Sequence, residues 1–147
     1  MVIKMNKLYK QLDKQVANLA VFFTKLHHYH WYVKGPHFFT LHEKLESLYD
    51  EVNELYDAVA ERLIMIGGKP ASQLKSYLAL TSLSEATEEK TPDMIQAILG
   101  DLKILATEFK ELTLLAQDAK DEQTADLAIG AVTSFDKHIW MFSAYLG

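Results

Sequence analysis

The chain has 147 residues, 49% of them hydrophobic, with no cysteine and a formal net charge of −5 at pH 7. That length fits one domain, residues 1–147, with a core of its own, and the missing thiols exclude disulfides and thiolate metal sites. The negative balance argues against a general nucleic-acid coat, no apolar run reaches the roughly 18 residues of a membrane span, and the stretch from Met1 to Lys7 has no signal-type core, so a cytoplasmic protein is expected.

In chain order, Leu8, Leu12, Val16, Leu19, Phe23, Leu26, His30 and Val33 recur at helical spacing and stop before Gly35-Pro36, a pair that breaks a helix and turns the chain. Thr40 to Glu43 reads as a capping box opening a second helix, which Gly67, Gly68 and Pro70 close. The connection from Gly67 to Lys90 far exceeds the usual 2–8 residues of a bundle loop and carries a short amphipathic piece, Leu74, Tyr77 and Leu78. Thr91 as N-cap with Pro92 at the first helical position announces a third long helix, lined by Ile95, Ile98, Leu102, Leu105, Phe109, Leu112 and Leu115. Asp121 caps a fourth, carrying Leu127, Phe135, Ile139, Phe142 and Leu146. Four long helices with one long crossover between the second and third give an all-α, ferritin-like four-helix bundle with a short extra helix in the crossover.

The second helix carries the most chemistry. Its apolar face runs through Leu41, Leu45, Leu48, Val52, Leu55, Val59, Leu63 and Ile66. Opposite lie Glu43, Glu46, Asp50, Glu54, Asp57 and Glu61, a run whose like-charge pairs cost roughly 1–2 kcal/mol in total. Lys44 and Arg62 point elsewhere, so a cation is the expected compensation. Carboxylates mixed with imidazoles suit iron, with manganese or zinc as substitutes. No histidine follows a Glu at the Glu-x-x-His spacing of an intrachain di-iron bundle, and His42 to Glu46 is not the zincin motif. His42 and Asp57 stand about 22 Å apart along one helix, too far for one ion. His30 can fold back beside His42 across the Gly35-Pro36 turn. The chain therefore offers two half-sites, His30, His42 and Glu46 at one end and Asp57 and Glu61 further along, which a two-fold pairing of subunits would bring together twice.

The blocks His30-Trp31-Tyr32, Phe38 through Lys44, Asp57 through Leu63 and His138 through Met141 resemble the Dps family of mini-ferritins over almost the whole chain. The resemblance implies a hollow shell of twelve subunits with ferroxidase centres between two-fold-related copies, where ferrous iron is oxidised, preferably by hydrogen peroxide, and stored as ferric mineral. It assigns His30, His42 and Glu46 to one side of the centre, Asp57 and Glu61 to the other, and to Trp31 beside it either electron transfer or the absorption of oxidising equivalents. Position 46 is often Asp in the family. Asp118, Glu122 and Asp126 cluster around the turn before the last helix, where ordinary first-turn charge is the plain reading. The resemblance places acids of this region in three-fold pores that admit ferrous ions, Glu122 and Asp126 aligning best. His27 is expected to pack or hydrogen-bond, His28 and His37 to lie on the surface, His138 to pack or sit at an interface, and Trp140 to be core or interface. Lys4, Lys7, Lys10 and Lys14 fall close to or within the first helix and form no mobile basic tail, which argues against DNA binding. A DNA-compacting nucleoid protein and a non-catalytic, metal-binding helical assembly are the alternatives to the ferroxidase.

Overall fold

The computed structural model describes residues 1–147 as five helices: α1 (Val2–Tyr32), α2 (Phe38–Met65), α3 (Leu74–Leu80), α4 (Thr91–Asp118) and α5 (Glu122–Leu146). α1 pairs with α2 and α4 with α5, while α1 lies across α4 and carries α3 on its flank. One continuous apolar core joins the four long helices, with Tyr29, Phe22 and Phe109 its largest fully buried side chains. Phe22, rather than Phe23, joins Tyr29 as a core aromatic of α1. Phe23 is half-buried and packs edge-on against His27 and Tyr49.

The helices differ from expectation in three places, two of them helix starts. α2 begins at Phe38, before any Thr40 capping box, and no side chain caps it. The Gly35 carbonyl accepts from Phe38 N–H at 3.1 Å and the His37 carbonyl accepts from Leu41 N–H at 2.9 Å, so the turn itself starts the helix. Gly35 has φ +110°, which favours glycine, and the early start stacks Phe38 on His42. Thr91 is the first residue of α4, not its cap, because its hydroxyl accepts from Lys34 N–H at 2.9 Å and ties the end of α1 to the start of α4. α3 forms where the amphipathic piece was expected, yet it buries only Tyr77. Leu74 and Leu78 are 78% and 51% exposed, and Leu83 beyond the helix fills the core.

Other ends follow the sequence. α2 closes in a Schellman motif, Gly68 N–H to the Leu63 carbonyl and Gly67 N–H to the Ile64 carbonyl, with Gly67 at φ +100°. Asp121 caps α5 by accepting from Thr124 N–H.

The 25-residue return between α2 and α4 runs beside α1, and α1 holds it with polar groups. Tyr9 donates to the Ile66 carbonyl, Asp13 accepts from Ala71 N–H, and Asn18 accepts from Thr81 and Ser82. Further on, Lys25 donates to the Ser84 carbonyl and Tyr29 to Glu89. Partners advance together along both segments. Asn18 and Gln15 are fully buried and also bond Glu108 on α4, and Lys25 Nζ lies 2.9 Å from Asp101 Oδ2.

Burial holds the Asp101 carboxyl above the usual range, with Lys25 pulling it back. Lys25→Met would leave that carboxylate buried without its cation, a loss of about 3–5 kcal/mol at neutral pH. A raised native pKa means the fold favours the neutral acid, so the variant's deficit relative to wild type should shrink as pH falls and Asp101 protonates. Urea titrations across the acidic range measure this, and a deficit independent of pH would contradict it.

Candidate metal centre

The Gly35-Pro36 turn brings the end of α1 against the start of α2, and two histidines meet there. The His30 and His42 rings stack with centroids 3.7 Å apart and planes 13° apart. Each ring donates from Nδ1 to the other residue's main-chain carbonyl, at 2.7 Å from His30 and 2.8 Å from His42. A neutral imidazole carries one N–H, so these two bonds fix both tautomers and leave each Nε2 lone pair free to bind a metal. Only 6% of His30 is exposed, so its ring is held by packing as well.

Glu46, one turn after His42, lies 3.9 Å from His30 Nε2. Tyr49 completes this end: its ring stacks on His27 at 3.8 Å, meets His30 edge-on at 5.3 Å, and its hydroxyl lies 3.5 Å from Glu46 Oε1. Burial, then the negative charge of Glu46 and Asp50, holds the Tyr49 phenol above the ordinary tyrosine range. Tyr49 was not singled out from the sequence, and the available signal was its position three residues after Glu46, the spacing that shares a helix face. His27 packs and hydrogen-bonds as expected, its Nδ1 donating to the Phe23 carbonyl at 2.9 Å. Trp31 touches His27 edge-on and is 63% exposed.

Asp57 and Glu61 are exposed on the same uninterrupted helix, four turns from His42. No three His, Asp or Glu side chains of one chain converge closely enough to hold an ion. The donors nonetheless suit one: two imidazole nitrogens and a carboxylate at one end, two carboxylates at the other, nitrogen and oxygen only.

The two cations near the acidic face are turned aside onto α5. Arg62 donates to Asp121 and Thr124, both at 2.8 Å, and so braces the start of that helix. Lys44 donates to His138 Nδ1 at 3.1 Å, and His138 Nε2–H donates to Glu51. Burial pulls the Lys44 ammonium below the usual range, with Glu51 opposing and Lys137 adding to the fall. Glu43, Asp50 and Glu54 keep no basic neighbour among the ion pairs and are exposed.

Elsewhere, Asp118 pairs with Lys4 at 3.3 Å, whereas Glu122 and Asp126 line a shallow concavity with Gln123, Ala125 and Ile129. His37 is exposed, while His28 is half-buried against Tyr32 rather than free on the surface. Trp140 is 67% exposed and is not a core residue of this chain. No helix is long and apolar enough to cross a membrane.

The family model for the ferritin-like domain matches residues 9–147. "DNA protection during starvation protein 2" of Bacillus anthracis is 48% identical over 144 residues, spanning 97% of this chain and 99% of that protein. The crystal structure of a Dps protein from Bacillus brevis superposes with a TM-score of 0.96 at 40% identity, covering 98% of this chain and 97% of that one. A zinc-soaked Dps from Listeria innocua gives 0.93 at 45% identity, over 95% and 96% of the two chains.

The crossed histidine bonds predict a spectroscopic outcome. With the rings neutral, ¹⁵N-histidine spectra should show both His30 and His42 protonated at Nδ1, and added Zn²⁺ should move their Nε2 signals rather than Nδ1. Protonation at Nε2 in either ring would remove the proposed donor.

Proposed function

The chain belongs to the ferritin-like family as one of its Dps proteins, and from that membership we propose that it is a peroxide-consuming ferroxidase that stores iron. The observation that carries this reading is the crossed pair of His30 and His42, two imidazoles with their Nδ1 protons committed to main-chain carbonyls and their Nε2 lone pairs left over. A packing role needs no such matched arrangement.

Ferrous iron is the substrate. His30, His42 and Glu46 of one subunit, with Asp57 and Glu61 of the partner subunit, hold two ferrous ions. The carboxylates offset the metal charge as it rises, and the fixed imidazoles supply neutral donors. Two ferrous ions give the two electrons that split hydrogen peroxide: H₂O₂ + 2Fe²⁺ + 2H₂O → 2FeO(OH) + 4H⁺. Glu46 reaches further than the Asp common at that position, and its carboxylate lies 3.9 Å from His30 Nε2. Zinc or manganese competes for the same donors.

Twelve copies enclose the mineral, on whose inner surface the unneutralised Glu43, Asp50 and Glu54 concentrate cations. Glu122 and Asp126, with Asp118 partly neutralised by Lys4, draw ferrous ions through the shell. The protein works in the cytoplasm.

A relative's name includes DNA protection. Here Lys4 and Lys14 are paired with Asp118 and Glu108, and the lysines of α1 sit on an ordered helix. Protection comes from removing iron and peroxide rather than from coating DNA. Assembled protein at physiological salt should not shift linear duplex DNA, and a salt-sensitive shift at micromolar protein or below would favour the nucleoid reading instead.

The shared centre has a direct test. One variant carries His30→Ala and His42→Ala, another Asp57→Ala and Glu61→Ala, and each alone should lose most high-affinity iron binding and ferroxidase activity. Unfolded together and co-assembled, they form mixed pairs with one centre doubly defective and one intact, so activity should partly return. No recovery in shells verified as mixed would reject a site between subunits.

A further inference from the structure

We propose that Thr91 is a positioning residue of the metal centre: by taking the Lys34 N–H, its hydroxyl keeps the His30 carbonyl free to hold the His42 ring in its metal-binding tautomer. The inference rests on the ferroxidase reading above.

The last regular bond of α1 runs from Val33 N–H to the Tyr29 carbonyl at 2.9 Å. A helix that ran on would next send the Lys34 N–H to the His30 carbonyl, four residues back. Instead Val33 leaves the helix with ψ 144°, and the Lys34 N–H makes no main-chain bond. Thr91 Oγ1 accepts it at 2.9 Å, from 57 positions further along the chain. The His30 carbonyl, released from the helix ladder, accepts from His42 Nδ1 at 2.8 Å. A hydroxyl at the start of α4 thus sets what the end of α1 offers to α2.

Thr91 is free to do this. α4 begins without a side-chain cap, so the hydroxyl is not spent on its own helix. Pro92 follows directly, and its fixed φ stiffens the backbone that aims the hydroxyl. Glu89, two residues earlier, accepts from Tyr29, so the return is fastened to residues on both sides of His30.

The two rings depend on this clasp unequally. The carbonyl that holds His30 is that of His42, inside α2, where the helix fixes it. The carbonyl that holds His42 is that of His30, at the open end of α1. Without the Thr91 hydroxyl, the Lys34 N–H rewinds toward that same carbonyl or turns to water. Either motion shifts the acceptor under the His42 ring. A ring that moves its proton to Nε2 has lost the lone pair that would meet the metal.

Thr91→Val keeps the shape and removes the hydroxyl, and Thr91→Ser restores it. In metal-free protein, ¹⁵N-histidine spectra of Thr91→Val should show His42 protonated partly at Nε2, with His30 still at Nδ1. Thr91→Ser should return His42 to its wild-type state. Affinity for Zn²⁺ should weaken several-fold in Thr91→Val, and half-saturating Fe²⁺ in a peroxide assay should rise as much, with turnover at saturation kept. Tyr9→Phe, which loses a bond at the other end of the same return, should leave both rings as in wild type. An unchanged His42 tautomer in Thr91→Val, an unchanged Zn²⁺ affinity, or an equal change in Tyr9→Phe would overturn the proposal. Wild type itself separates the two readings. If it neither binds Zn²⁺ at these histidines nor oxidises ferrous iron with peroxide, the ferroxidase reading fails; if it does both and Thr91→Val matches it, only the role of Thr91 fails.

Discussion

The constraint on which this fold depends is the polar seam between α1 and the long return from α2 to α4. A segment of that length with only the short α3 to pair its own backbone would have to leave many backbone groups to water. α1 instead offers Tyr9, Asp13, Asn18, Lys25 and Tyr29 in succession along its length, and each takes a group of the return in register. The seam delivers Thr91 to the end of α1, where Lys34 N–H holds it. From there α4 can run antiparallel to α1, as the pairs of Gln15 with Glu108 and Lys25 with Asp101 require. Buried polar groups of this kind gain little net energy but are costly to leave unpaired, so they select one path for the chain more than they stabilise it.

α2 has three different neighbours on its three sides. Its apolar face lies in the core. One flank, through His42 and Tyr49, meets α1 and brings the two imidazoles together. The other, through Lys44, Glu51 and Arg62, meets α5. Both of the cations that could have neutralised the acidic face are spent on that second flank. The acidic face is therefore left bare by the packing of α5 as much as by the absence of basic residues.

Much of this was legible in the sequence because it rests on period and punctuation. The apolar stripes located all four long helices, Gly35-Pro36 and Gly67-Gly68 marked the turns, and the length of the connection indicated the crossover. The missed features depend on contacts between distant segments. Thr91 resembles an N-cap by every local criterion, yet its hydroxyl bonds a backbone group 57 residues away. Thr40 and Glu43 fit a capping box, but the turn at Gly35 had already supplied the first helical bonds. Leu74 and Leu78 have the spacing of a buried face, and nothing local says that only Tyr77 would find the core. His30 and His42 were expected to meet; that each would bond the other's carbonyl is a matter of tertiary geometry that no spacing encodes. The assignment of Asp57 and Glu61 as partners of those histidines stands on the residue pattern and family membership.

The straightness of α2 has a consequence for when chemistry can begin. A helix unbroken from Phe38 to Met65 is a fixed ruler that keeps the two donor sets of one chain permanently apart. On the proposed reading, a newly made subunit cannot complete a centre by any local rearrangement, however much iron surrounds it. Oxidation waits for an encounter between two folded copies, so its onset follows the square of subunit concentration. The chemistry is thereby withheld from solitary chains and confined to assemblies that can enclose its product.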